Sequence, residues 1–261
     1  MLRTYFSNQS QQVVHFIQQQ QMDATSMHQC RVAIKKIRAL LKLLSDVHPA
    51  FNSSKAEKPY RRLFKGLGAV REFHVREKLR SDAGLSCSAK QDLLERDKMH
   101  QATLRLEKML NNSTVHDLKK QERRILTELK KQSKRKARHA IRRLQQHLVT
   151  ELFAARQSSV QLHDLRKKIK TFYYNIKALQ GNGVSAKPLL EHLDQVQQQL
   201  GDWHDTDELI RYSHRHAQQT EIPNYRRLEL KRTKLETLVD QTILTVYPVL
   251  LQFRLIEEDP L

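Results

Sequence analysis

The chain is predicted to be all-α. Three observations predict it. Only 6 Gly and 6 Pro interrupt 261 residues, apolar residues return every three or four positions over long stretches, and no convincing apolar-polar alternation marks a strand. A first helix is expected from about Leu2 to Gln21 and a second from about Thr25 to Val47, stopping ahead of Pro49. Further stops or starts fall at Asn52-Ser53-Ser54, Gly84 to Ser88, Asn111 to Thr114, Gly181-Asn182-Gly183 and Pro223-Asn224. The length allows one large domain or two smaller ones, and 39% hydrophobic residues suffice for a core.

The second helix carries two seams. Cys30, Ile34, Ile37 and Leu41 form an apolar stripe; His28, Arg31, Lys35, Arg38 and Lys42 form a basic one. Each apolar residue stands one position ahead of a cation, about 100° round a helix, so the cations flank the core rather than face bulk water. The pattern returns 135 positions later: Leu165, Ile169, Phe172 and Ile176 stand beside His163, Arg166, Lys170, Tyr173 and Lys177. Neither row contains a carboxylate. Unbalanced cations on one helical row repel one another, which points to an external anion as the missing partner. A solvated face is the ordinary fate of a charge run, but two rows in one register against two matching seams favour a ligand site.

Lys and Arg number 47 against 28 Asp and Glu, a formal +19 with a sequence pI near 10.1. That balance speaks of polyanions: nucleic acid, an acidic membrane or a phosphate polymer. The segment from Lys119 to Arg143 is the densest, with 12 Lys and Arg against Glu122 and Glu128. Its apolar positions keep helical spacing, and Arg135, Arg138 and Arg142 share a face that could complete a binding wall. Arg226, Arg227, Lys231 and Lys234 are loose counterparts in the second half.

The repetition continues past the seams. Leu67-Gly68-Ala69-Val70-Arg71-Glu72 follows the first row and Leu200-Gly201-Asp202-Trp203-His204-Asp205 the second. Each has an acid four residues after Gly. Two copies of one helical unit are expected, about residues 1–152 and 153–261 of a single domain, each with about four helices in an up-and-down bundle.

These residues resemble the CHAD domain family: a His-x-x-Arg-x-x-x-Lys helix in each half, followed by a Leu-Gly segment and its acid, over roughly Met1 to Phe253. The resemblance implies two four-helix bundles related by a pseudo-twofold, with a basic central groove or pore that binds inorganic polyphosphate. It implies a non-catalytic module, often found beside a triphosphate-cleaving CYTH domain. The family's ligand row falls on His28, Arg31, Lys35, Arg38, His163, Arg166 and Lys170, continued by Lys42 and Lys177. Tyr173 stands where the first copy has Arg38, and His204 where it has Arg71, so unequal halves are expected. Glu72 and Asp205 match the family's acid and are expected to orient a neighbouring cation.

Polyphosphate carries about one charge per phosphate, and rows of Arg forks and Lys points can follow such a line. His28 and His163 would be mostly neutral until a polyanion raised their pKa, and a purely structural role for them stays open. Metal and catalytic readings have little support. His214 and His216 point to different sides of a helix, the cluster Asp202, His204, Asp205 and Asp207 has no closed ligand set, and no Walker loop, nucleophile motif or Glu-x-Glu-x-Lys strand appears. No cofactor is expected.

The alternative is an electropositive nucleic-acid binder or a helical scaffold for an acidic protein. Against the former, aromatics make up only 6%, Phe64 and Phe172 fall on apolar seams, and no finger or helix-turn-helix spacing is present. Nucleic acid is then at most a non-specific competitor. Cys30 and Cys87 form no framework, which suits a reducing cytoplasm. The N-terminus lacks a signal-peptide core and Ile243 to Phe253 is too short to span a membrane, so the expected place is cytoplasmic, beside polyphosphate granules or polyphosphate-metabolising enzymes.

Overall fold

The computed structural model describes residues 1–19, 22–84, 89–154, 159–180, 186–216 and 222–254. Nine helices occur among them: α1 (Leu2–Gln19), α2 (Ala24–Val47), α3 (Ser53–Asp82), α4 (Ala89–Glu107), α5 (Asn112–Lys130), α6 (Lys134–Ala154), α7 (Ser159–Leu179), α8 (Lys187–His216) and α9 (Ile222–Gln252). The described residues contain no strand.

Starts are fixed by side chains that satisfy the first free N–H groups. The Asp23 carboxylate accepts from the Thr25 and Ser26 amides, each at 2.9 Å. Asn52 caps α3 through the Lys55 amide and Asn111 caps α5 through that of Thr114. The helix α3 ends near Gly84, whose φ of 64° is open to glycine at little cost. The dense basic segment is two helices: it breaks after Lys130, and the Ser133 hydroxyl accepts from the Lys136 amide to restart the chain as α6. Pro223 begins a helix instead of ending one, because proline is tolerated in a first turn where its missing N–H would have no partner. The expected turns at 85–88 and 181–183, together with Cys87, lie outside the described residues.

Both apolar seams are buried. Cys30, Ile34, Ile37 and Leu41 of α2 and Leu165, Ile169, Phe172 and Ile176 of α7 belong to one core, joined by Leu63 and Leu67 of α3, Leu193 and Trp203 of α8, and Ile243 of α9. Truncating any one of these large side chains to Ala is expected to cost about 2–5 kcal/mol. Because α2 and α7 pack directly on each other, the rows beside their seams are brought to a common place. Buried polar ties fix the flanks. The Ser10 hydroxyl donates to Glu122 at 3.0 Å, joining α1 to α5, and the Gln145 amide donates to the carbonyls of Leu250 and Phe253 at 2.6 and 3.1 Å, joining α6 to the end of α9.

Among the described residues, five whole helices and most of a sixth lie before residue 153 and three after it.

Candidate functional site

The cations of α2 and α7 meet around two cavities that share Phe64. One, of about 550 Å³, is walled by Lys35, Arg38 and Lys42 of α2 and by Arg166, Lys170 and Tyr174 of α7. The other, of about 600 Å³, takes Arg31 from α2, Gly68 and Arg71 from α3, and His204 and Asp205 from α8.

Arg31 is the best fixed of the group. Its Nη1 donates to the Phe64 carbonyl at 2.9 Å, and its guanidinium lies 4.1 Å from the Phe64 ring centre. This approach needs glycine at 68, where an added Cβ would sit 2.7 Å from Nη1. The Phe64 ring also receives Arg38 at 5.5 Å and Lys35 at 6.0 Å, so one aromatic ring helps hold three like charges. Phe64 is therefore no ordinary core residue. Arg38 makes the only ion pair of the first row among the described residues, to Glu57 at 3.0 Å. The Nε atoms of Arg31 and Arg166 are buried without a hydrogen-bond partner.

Crowding and burial shift the titrations in one direction. Burial, then Lys170, Arg31, Arg166 and Arg71, holds the Lys35 ammonium down to about 7. Burial and Arg166 bring Lys170 to about 8, with Asp205 opposing them. Arg31 falls to about 10 through burial and the nearby Arg71. His204 is pushed to about 4 by burial, Arg166 and His163, and the rings of His163 and His204 lie 4.9 Å apart. His28 and His163 are lowered as well, the former by burial and then Arg71. The three imidazoles are thus neutral near pH 7.

Most expected residues converge: Arg31, Lys35, Arg38, Lys42, Arg71, Arg166, Lys170 and His204 line the two cavities, while His28 and His163 stand close enough to act on them. Five do not. Tyr173 turns into the core, 7% exposed, and its wall position passes to Tyr174. The angular position it shares with Arg38 lies toward the apolar seam; a guanidinium extends out of it to Glu57, whereas an aromatic ring packs inward. Lys177 stands about 10 Å along the axis from Lys170, past the cavity, and acts on Lys36 instead. Arg135, Arg138 and Arg142 do not complete the wall. Arg142 instead lines a separate cavity with Leu251 and Phe253, near the end of α9. Arg227 and Lys231 likewise line another hollow, with Leu79 and Leu209.

The acids behave unequally. Glu72 holds a neighbouring cation as expected, Arg76 at 2.6 Å, though outside the rows, while Asp205 acts electrostatically on Arg166 and Lys170. Asp207, buried, takes Arg211 at 2.8 Å and Arg232 at 3.5 Å. Among the described residues no three His, Cys, Asp or Glu are placed to hold a metal; the His216 side chain lies outside them. Phe64, Tyr174, Glu57 and Lys167 were not legible as site residues. Only Gly68 carried a signal, in the repeated Leu-Gly.

The described residues thus form an all-helical bundle in which α2 and α7 bring cations together around adjoining cavities. A sequence model of the CHAD domain matches residues 5–212, and the chain belongs to that family. Among solved structures, a crystal structure of the CHAD domain from the plant Ricinus communis is similar in fold: its TM-score is 0.60 at 19% identity, covering 97% of this chain and 89% of that one. No curated protein matches the sequence.

Proposed function

We propose that this chain is a non-catalytic binder of inorganic polyphosphate, which it holds in one basic groove running past Phe64 from cavity to cavity. A single observation carries the reading. Lys35 is surrounded by Lys170, Arg31, Arg166 and Arg71 and makes no ion pair with a carboxylate among the described residues. Such a cluster is relieved by an anion with charges spaced along a line. Cavities of about 550 and 600 Å³ suit a single flexible strand of phosphates and exclude the body of a duplex. The cavity walls offer charge, an aromatic face and hydroxyls, which suits binding rather than turnover. Cytoplasmic granules or polyphosphate-metabolising enzymes are the fitting surroundings, and no described helix is long and apolar enough to cross a membrane.

The groove goes with two repeats related by a pseudo-twofold. Exchanging α1, α2, α3 and α4 for α6, α7, α8 and α9 maps most helix contacts onto one another: α1 with α2 onto α6 with α7, α3 with α4 onto α8 with α9, and α2 with α7 onto itself. On this reading the repeat boundary falls at the turn before Lys134, with α5 as an addition to the first copy.

The test is calorimetric titration with long-chain polyphosphate across a salt series, against duplex DNA at equal phosphate concentration. Tight, salt-dependent binding to the polymer and displacement of DNA by it are expected. Equal competition by DNA would replace the proposal with generic electropositive binding.

A further inference from the structure

Four lysines make ion pairs with acids. Lys98 pairs with Glu95, Lys131 with Glu128, Lys167 with Asp164 and Lys168 with Glu151, at 2.5 to 3.4 Å. Lys35 differs in three ways at once. It is half-buried in the wall of a 550 Å³ cavity that also opens onto Arg166 and Lys170, it has no acidic partner, and two guanidinium nitrogens beside it, Nε of Arg31 and of Arg166, are buried and unpaired.

We propose that Lys35 is an acyl acceptor: an acyl phosphate whose phosphate end is captured by Arg166 and Lys170 transfers its acyl group to Lys35 Nζ, and the amide so formed weakens the site for polyanions. This rests on the cluster being an anion site, not on which anion occupies it.

The chemistry needs a free lone pair, and crowding supplies it. Arg31 on α2, Arg71 on α3, and Arg166 and Lys170 on α7 all face the amine, and with burial they leave much of it neutral at pH 7.5. The neutral nitrogen attacks the acyl carbon, an N–C bond forms, and the C–O bond to phosphate breaks. Inorganic phosphate departs with the electron pair, and the nitrogen's surplus proton passes to water. No oxidant, reductant or metal is required. Arg166 and Lys170, which hold the donor, also stabilise the charge on the leaving phosphate. Acylation removes one cation from the centre of the cluster and adds an uncharged group to its cavity.

The experiment incubates the full chain with acetyl phosphate at pH 7.5 and reads acetylation by peptide mass spectrometry, with fragmentation separating Lys35 from Lys36. Lys35 is expected to be acetylated at least about tenfold faster than Lys98, Lys131 or Lys168, since neutral amine is scarce at an ordinary lysine. Acetic anhydride, which has no phosphate to capture, should give a smaller ratio. In Lys35→Arg that label should vanish, which assigns it to position 35 and not to Lys36. Equal rates at Lys35 and the paired lysines, or equal ratios with the two reagents, would overturn the proposal. Selective labelling that long-chain polyphosphate fails to block would support the acceptor and refute the polymer reading, so the two failures are separable.

Discussion

The two rows share a stripe and differ in what surrounds it. On α2, Arg31 rests on the Phe64 ring, is gripped by the Phe64 carbonyl and passes over Gly68 with no room for a methyl group. On α7, Arg166 has Asp205 acting on it, a neutral His204 nearby in the place of Arg71, and a glycine at 201 with open space around it. The first row is positioned by shape. The second is moderated by charge. The duplicated sequence motif therefore conveys the same residues but not the same restraint, and the first half should contribute more to anion affinity.

The largest break of this comparison is Arg31→Glu with Arg166→Glu, which reverses one cation in each row. It should cost at least about a hundredfold in polyphosphate affinity, given about 1.5–3 kcal/mol for each charged hydrogen bond, while far-ultraviolet circular dichroism stays unchanged. Wild-type-like affinity in that variant would remove the site assignment.

Acidity tests the cluster as a whole. An incoming polyanion raises the pKa of Lys35 from about 7 and of Lys170 from about 8, so binding takes up protons. On the order of one proton gained means affinity falls about tenfold per pH unit above neutrality. The empty protein moves the other way: between about 7 and the ordinary 10.5, unfolded Lys35 still holds a proton that folded Lys35 has released. Stability should then rise with pH over that window. Calorimetry in buffers of different ionisation enthalpy reads the proton count, and thermal melts read the stability.

The glycines sharpen the contrast further. Gly68→Ala pushes the flexible end of Arg31 off the Phe64 carbonyl and should weaken binding about tenfold, with the fold intact because a side-chain tip gives way easily. Gly201→Ala should leave affinity alone and stabilise α8 by about 1 kcal/mol through helix propensity. Equal effects at the two sites would erase the asymmetry. The smallest expected change is Asp205→Asn. It removes a repulsive carboxylate from the wall and should tighten binding about two- to threefold, as for a partly screened pair.

Much of this was written in the spacing. A period of 3.6 placed Ile34, Ile37, Leu165 and Ile169 in the core and the cations beside them, because one residue of offset is a fixed rotation. What spacing could not decide was which of two adjacent aromatics, Tyr173 or Tyr174, leans inward, since that depends on side-chain length and on neighbours brought by other helices. The same limit hid Phe64, whose aromatic face looks like core until Arg31 is seen upon it. Nor could spacing show that Arg135, Arg138 and Arg142, which carry the right stripe, line neither cavity. The break between α5 and α6 depends on Ser133, a capping signal lost among lysines.

The buried repulsion around Lys35 has one more consequence, for the lifetime of the protein. A ligand that relieves it binds the folded chain alone and so makes every opening of the bundle rarer. On the polyphosphate reading proposed above, and where proteases sample opened chains, a cell rich in the polymer would keep this protein and a starved one would degrade it.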